Sequence, residues 1–194
     1  MTRRFTASLM TGLAMMAILP CYAVEPGTDA GAMDSTQQVT HPSITTPTLS
    51  EANTKALLKL QALLHDHHPD QALTLVDQSL VDQPDNGSLL FLKALALTQL
   101  NRRADAIVVL KNLVERFPEM AAPYNNLAAL YAADGDLDNA RRTLEKAVRA
   151  QPNYATAQEN LGDVYLVLAR DAYTKALKLN PDNRALNLKL NKLN

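Results

Sequence analysis

A fixed spacing of prolines and alanines constrains the fold of this chain more than any other feature. Three prolines recur at an interval of 34 residues, at Pro84, Pro118 and Pro152. An alanine precedes each of them by twelve residues, at Ala72, Ala106 and Ala140. A period of this length indicates a small structural unit repeated along the chain, because each unit buries its apolar face against its neighbour.

The residues that follow each alanine predict a helix. Four and seven residues later the chain carries Val76, Leu110 and Leu144, then Ser79, Leu113 and Ala147. Side chains at these intervals lie on one face of an α-helix. The proline that comes next ends this helix, because its ring is not tolerated in a helix interior.

The first half of each period recurs as well. Tyr124, Leu127, Ala128 and Tyr131 correspond to Gln158, Leu161, Gly162 and Tyr165 in the next period. The small residues at Ala94, Ala128 and Gly162 predict where two antiparallel helices cross closely. This pattern resembles the tetratricopeptide signature, W-x2-L-G-x2-Y…A-x3-F…P over 34 residues. The block 121–154 matches nearly every element of that signature, with Tyr124 in place of the tryptophan.

The resemblance implies an all-α fold in which antiparallel helix pairs stack as a short right-handed solenoid. The low aromatic content of 5% suits helix packing by Leu, Ala and Val. We expect a repeat domain at 51–194, with units at about 53–86, 87–120 and 121–154, a truncated unit at 155–181 and a capping helix at 182–194. The predicted helices of the three full units are 51–65, 69–81, 88–100, 103–116, 121–133 and 137–150.

The fourth unit is five residues short. Ala176 and Pro181 arrive five residues earlier than the 34-residue frame requires, and the segment 163–179 contains no Gly or Pro that could form a turn. Apolar or small residues continue at steps of three and four through Leu161, Tyr165, Leu168, Ala172, Ala176 and Leu179. We therefore predict one long helix over 155–179 rather than a hairpin. Pro181 ends it, and Asp182 and Asn183 can cap a last helix that ends near Leu193.

The N-terminus has the pattern of a secretory signal peptide over 1–23. Arg3 and Arg4 form a basic start, 9–19 is an apolar segment too short to span a bilayer, and Cys21-Tyr22-Ala23 fits a cleavage site.

Cys21 is the only cysteine, so lipidation at this residue is the alternative, although Pro20 fits a lipoprotein signal poorly. We expect cleavage after Ala23, a periplasmic or otherwise exported protein, and no disulfide. The segment 24–50 has the composition of a disordered linker.

The rest of the sequence excludes several classes of function. The formal net charge is −1, and no Lys/Arg cluster is long enough to follow a phosphate backbone, so we expect no nucleic-acid binding. No combination of nucleophile, base and orienting group is present, so we expect neither an enzyme nor a cofactor site. Asp134-Gly135-Asp136 resembles part of a calcium loop but lacks the later ligands, and Glu159 with Asp163 is interpreted as a solvated pair. We also expect no stable membrane insertion once the signal is removed.

One cluster has the chemistry of a metal site. His65, Asp66, His67, His68 and Asp70 lie within six residues and could bind zinc, nickel or copper. The other interpretation is a helix–helix turn, with Pro69 starting the next helix. Because adjacent ligands in a turn rarely converge on one ion, a metal-binding carrier or sensor is the alternative function.

The resemblance implies that the first helix of each repeat lines a concave groove in which a partner segment binds. Carried over by position, the groove residues are Leu57, Gln61, Leu64, Phe91, Leu95, Thr98, Asn125, Ala129, Ala132, Glu159, Asp163 and Leu166. We expect Phe91 and Leu95 to form an exposed apolar patch, Asn125 to bind a peptide backbone, and the two carboxylates to favour a basic partner. The alternative for Phe91 is packing against the first unit or against the segment 24–50. Only Asn126 fits the family's carboxylate-binding pattern, so carboxylate capture is not expected.

The sequence thus predicts a periplasmic adaptor or scaffold that binds a protein or peptide. A short solenoid also leaves an exposed end, through which two copies can associate as a homodimer.

Overall fold

The described part of the chain consists of helices joined by short turns. The computed structural model describes residues 49–193, so the predicted signal peptide and nearly all of the predicted linker lie outside it. The helices are α1 (Leu49–His65), α2 (Pro69–Asp82), α3 (Gly87–Gln99), α4 (Arg103–Arg116), α5 (Ala121–Ala133), α6 (Leu137–Ala150), α7 (Ala155–Leu179) and α8 (Arg184–Asn191). Their ends lie within two residues of the predicted ones. Helix α1 begins at Leu49, inside the segment assigned to the linker.

Three equivalent turns close the helix pairs α1–α2, α3–α4 and α5–α6. Each contains one residue with positive φ, and these residues are His67 at 57°, Asn101 at 57° and Gly135 at 79°, spaced 34 residues apart. The next N–H donates to the carbonyl five residues back in every case: His68 to Leu63, Arg102 to Leu97 and Asp136 to Tyr131, at 2.8–2.9 Å. This is the Schellman arrangement, which satisfies the carbonyls at a helix end and reverses the chain. The repeat in the sequence is therefore also a repeat in backbone geometry.

Side-chain caps fix the starts of several helices. The Asn86 side chain accepts from the N–H groups of Ser88 and Leu89 at α3, and Asp136 accepts from Asn139 at α6. Asn183 accepts from the N–H of Leu186 and so caps α8, as the sequence predicts. Each cap satisfies N–H groups that have no partner inside the helix.

The apolar side chains form two clusters that meet at α5. The larger cluster contains buried residues from α1 to α5, and the smaller one contains residues from α5, α6 and α7. Leu127 and Leu130 of α5 belong to the larger cluster, whereas Tyr124 and Ala128 belong to the smaller. Helices α3 and α5 bury residues around most of their circumference, while α6 buries a single stripe. The first helices of the units are thus the interior elements of the stack.

Helix α7 is continuous over 25 residues, which confirms the predicted fusion of the fourth unit. Its last buried residue is Val164, and α8 packs beside its second half, where the Lys189 ammonium lies 5.7 Å from the centre of the Tyr173 ring. Neither α7 nor any other helix among the described residues is long and apolar enough to cross a membrane.

The turn geometry predicts opposite effects for two Gly→Ala substitutions. At Gly135 the positive φ strains an alanine although no atom lies within 4 Å of the added Cβ, so Gly135→Ala should lower the free energy of unfolding by about 1 kcal/mol. At Gly162, inside α7 and equally open, alanine should raise it by about 0.5–1 kcal/mol. Urea denaturation followed by circular dichroism measures both. A Gly135→Ala variant as stable as the parent would contradict the role assigned to the turn.

Candidate partner-binding surface

The structure buries five of the twelve predicted groove residues. They are Leu64, Phe91, Leu95, Asn125 and Ala132. Phe91 and Leu95 are only 9% and 8% exposed and belong to the larger apolar cluster, so the prediction that they form an exposed patch is wrong. The reason is that α3 packs against α1, α2 and α4 and is covered on most sides. Its sequence is apolar nearly all round, so no periodicity distinguishes a groove face from a core face.

Asn125 is fully buried and joins two first helices. Its Oδ1 accepts a hydrogen bond of 2.8 Å from Nδ2 of Asn160, which connects α5 to α7. The Nδ2 atom of Asn125 is also buried and has no partner among the described residues. In this structure the amide is therefore not accessible to a peptide backbone, contrary to the sequence-based expectation, and serves the contact between units instead.

Seven groove residues remain accessible. Leu57, Thr98, Ala129 and Asp163 are half-buried, whereas Gln61, Glu159 and Leu166 are exposed. The Thr98 hydroxyl is already used, because Oγ1 donates to the carbonyl of Ala94. The chemically distinctive part of the surface is therefore on the first half of α7, where Glu159, Asp163 and Leu166 follow one another at steps of four and three. We call these three residues the α7 patch.

The carboxylates of the α7 patch take no part in the ion pairs of the solenoid. Five ion pairs between Lys or Arg and a carboxylate occur among the described residues: Lys93 with Asp77, Arg102 with Asp105, Arg103 with Asp134, Arg116 with Asp85, and Arg141 with Glu145. Three of these pairs, Lys93–Asp77, Arg103–Asp134 and Arg116–Asp85, join successive units. Within residues 49–193 neither Glu159 nor Asp163 makes an ion pair, so the patch presents two uncompensated negative charges beside an exposed leucine.

A small polar network borders this patch on α6. Arg141 donates to Glu145 at 2.6 Å, and the Tyr165 hydroxyl of α7 donates to the same carboxylate at 3.0 Å. The hydrogen bonds from Arg141 and Tyr165 lower the pKa of Glu145. The hydrogen bond to Glu145 raises the pKa of Tyr165, because ionising the phenol would remove its proton from that bond. The network fixes α7 against α6 and orients the face that carries Glu159 and Asp163.

The histidine-rich segment forms the first of the three turns. His67 is the residue with positive φ, Pro69 begins α2, and His65 Nδ1 lies 3.0 Å from Asp66 Oδ1. Across the described residues no three His, Cys, Asp or Glu side chains come together in a way that could hold a metal ion. The turn interpretation explains this segment without a metal.

The acidic segment around Gly135 forms the third turn in the same manner. Asp136 caps α6, and the hydrogen bonds from Asn139 lower the pKa of the Asp136 carboxyl. This cap explains Asp136 without a calcium ion.

Comparison with known proteins gives a consistent result. Two family models described as Tetratricopeptide repeat match residues 57–121 and 97–161, which together make up more than half of the chain. The tetratricopeptide repeat domain-containing protein PYG7, chloroplastic, of Arabidopsis thaliana is 38% identical over 71 residues, 34% of this chain and 24% of that protein. The uncharacterized protein ycf37 of Guillardia theta is 35% identical over 79 residues, 38% of this chain. The matched part spans under half the length of each of these two proteins, 24% and 44%.

Solved structures share the fold. The thermophilic TPR protein TTC0263 of Thermus thermophilus superimposes with a TM-score of 0.56 at 23% identity, covering 72% of this chain and 97% of that one. At this level of identity the similarity concerns the fold alone.

The assignment of Asn125 to the interior can be tested with its neighbour as control. Asn125→Ala removes the acceptor for Asn160 and leaves a small cavity, so it should lower the free energy of unfolding by about 1–3 kcal/mol. Asn126 donates only to the carbonyl of Ala122 in its own helix, and Asn126→Ala should change stability by less than about 0.5 kcal/mol. Chemical denaturation of both variants is the measurement. Equal effects of the two substitutions would contradict the buried role of Asn125.

Proposed function

The chain belongs to the tetratricopeptide repeat family, and we propose that it is an exported adaptor that holds a segment of another protein against its first helices. Tetratricopeptide repeat proteins generally mediate protein–protein interaction, and repeats of this kind are typically scaffolds without catalytic activity. On this proposal the protein is a binding module and not an enzyme.

The observation that carries the proposal is the presence of two carboxylates without an ion pair next to an exposed leucine on the first half of α7. Glu159 and Asp163 belong to none of the ion pairs within residues 49–193, and both lie on the helix face that corresponds to the binding face of the family. Leu166, 53% exposed, follows on the same face. Uncompensated charge beside an apolar side chain favours a partner of opposite charge that also carries an apolar residue.

The partner segment we propose is therefore basic at the end that contacts α7. Electrostatic attraction of this kind accelerates association and weakens with salt, because the charges are exposed. Gln61 and Leu57 offer a polar and an apolar contact toward the other end of the stack. The buried residues Phe91, Leu95 and Asn125 would contribute by shaping the helices rather than by touching the partner.

The sequence of residues 1–23, which lie outside the described part of the chain, supports export. We expect a mature protein that starts at Val24 and reaches the periplasm. Mass spectrometry of the protein isolated from the cell envelope gives the mature N-terminus directly. A lipid-modified Cys21 as the first residue would replace cleavage after Ala23 with the lipoprotein alternative.

The binding face can be tested by neutralising the α7 patch without changing its shape. Full-length Glu159→Gln/Asp163→Asn should recover its principal envelope partner at least about threefold less well than wild type, because two attractive charges are lost. A matched control is Glu115→Gln/Glu119→Gln, which removes two exposed charges, also spaced four residues apart, from α4 and the α4–α5 turn. Affinity capture quantified by mass spectrometry, at low and high salt, is the measurement.

The control should recover the partner as wild type does, and raising the salt should reduce wild-type recovery toward that of the α7 variant. Equal recovery by the α7 variant and the control would refute the assignment of the binding face.

A further inference from the structure

The fourth unit has lost its turn but kept its second helix in sequence. Ala169, Tyr173, Ala176 and Pro181 repeat the spacing of Ala140, Leu144, Ala147 and Pro152. The shortening lies upstream of this motif, because Tyr131 and Ala140 are nine residues apart whereas Tyr165 and Ala169 are four apart. The deleted residues are those that would form the turn with positive φ.

Without this turn the second half of α7 cannot fold back on the first half. In the three complete units the chain reverses at His67, Asn101 and Gly135, and no described residue beyond Gly135 has positive φ. The two halves of α7 remain collinear, and at 1.5 Å per residue the helix is about 37 Å long. In the complete units the first and second helices pack antiparallel on each other. The two halves of α7 correspond to these two helices, and neither half has the other as an antiparallel partner.

The first half of α7 is open where the other first helices are covered. Ala94 and Ala128 are fully buried at the position where the second helix of their unit crosses. The equivalent residue, Gly162, is exposed, and a Cβ added there would meet no atom within 4 Å. Tyr165, one turn further on, is 47% exposed. The face of α7 around Gly162 and Tyr165 can therefore accept a helix, and no helix of the described chain covers it.

The second half of α7 is less buried than α6, the helix to which it corresponds in the third unit. Ala140, Leu144 and Ala147 are buried in α6, whereas their equivalents Ala169, Tyr173 and Ala176 are only half-buried. Helix α8 covers one side of this segment and leaves Leu179 88% exposed. The segment carries the sequence of a second helix and contacts no first helix of its own unit.

We propose that two copies of this chain exchange residues 169–193, so that the second half of each α7 packs antiparallel on the first half of the other. The acceptor and donor surfaces are on the same helix, so the exchange is reciprocal and closes with two-fold symmetry. The contact would reproduce the packing that α5 and α6 make within one chain. Shortening a hinge is a known cause of such exchange, because the intramolecular arrangement becomes unreachable while its contacts stay favourable.

The repeat frame fixes the register of the contact. Ala128 and Ala140 belong to one buried cluster on neighbouring helices, and their equivalents are Gly162 and Ala169. Gly162 of one copy should therefore face Ala169 of the other, with the two-fold axis near Tyr165 and Leu166. Asp163 lies about 100° and Glu159 about 60° around the helix from Gly162, so the exchange leaves Asp163 accessible and places Glu159 at the edge of the contact. Leu166, about 40° from Gly162, becomes part of the contact between the two copies.

Restoring the turn tests the exchange. Insertion of Gly-Asp-Leu-Asp-Asn, the sequence of 135–139, between Leu168 and Ala169 recreates the spacing of the third unit. Wild-type protein should have twice the mass of one chain in analytical ultracentrifugation at micromolar concentration, and the insertion variant the mass of one chain. Circular dichroism should show that the variant keeps its helical content. A monomeric wild type, or a dimeric insertion variant, would overturn the proposal.

Disulfide trapping tests the register in the full chain with Cys21→Ser. Gly162→Cys/Ala169→Cys should form a covalent dimer on mild oxidation, because within one helix these positions are about 10 Å apart and cannot be bridged. In the control Gly162→Cys/Lys178→Cys the second thiol lies nine residues beyond Ala169 on the same helix. This variant should stay monomeric on non-reducing gels. Equal trapping of both pairs, or of neither, rejects the antiparallel register.

Discussion

The fold depends on one backbone feature, the residue with left-handed conformation that reverses the chain inside each helix pair. His67, Asn101 and Gly135 occupy it in turn, and in every case the following N–H donates to the fifth carbonyl before it. Because this turn sets where the second helix starts and how it returns, small residues such as Ala94 and Ala128 meet the next helix at the same height in each unit. The identity of the side chain matters less than the backbone it permits, which explains why a histidine, an asparagine and a glycine are equivalent there.

The sequence was sufficient to predict the helices and the fused fourth unit, because both follow from local spacing. The missing five residues before Ala169 remove a turn, and nothing in the flanking sequence can replace it. The groove was predicted less well, since burial in the interior helices depends on neighbours that are distant in sequence. Helix α3 is apolar on nearly every side, so Phe91 could be assigned to a groove or to the core with equal reason. Asn125 is polar and was assigned to a surface, yet its partner Asn160 lies 35 residues away on α7.

Some charged residues hold the units of the solenoid together, and others lie on the surface without an ion pair. Pairs such as Arg103–Asp134 and Arg116–Asp85 join successive units, so these exposed groups serve the stack, each with a modest contribution. Glu159 and Asp163 belong to no such pair, and what distinguishes them is that they lie four residues apart on one face of a first helix.

Helix α5 contributes to both apolar clusters, and this has a consequence for how the molecule opens. The ends of the solenoid each depend on one cluster and can detach without disturbing the other. The amides of α5 become accessible only when both clusters come apart, which amounts to global unfolding. Hydrogen exchange should therefore be slowest in the middle of the chain and faster toward either end, so that a partner can loosen a terminal helix while the central one stays intact.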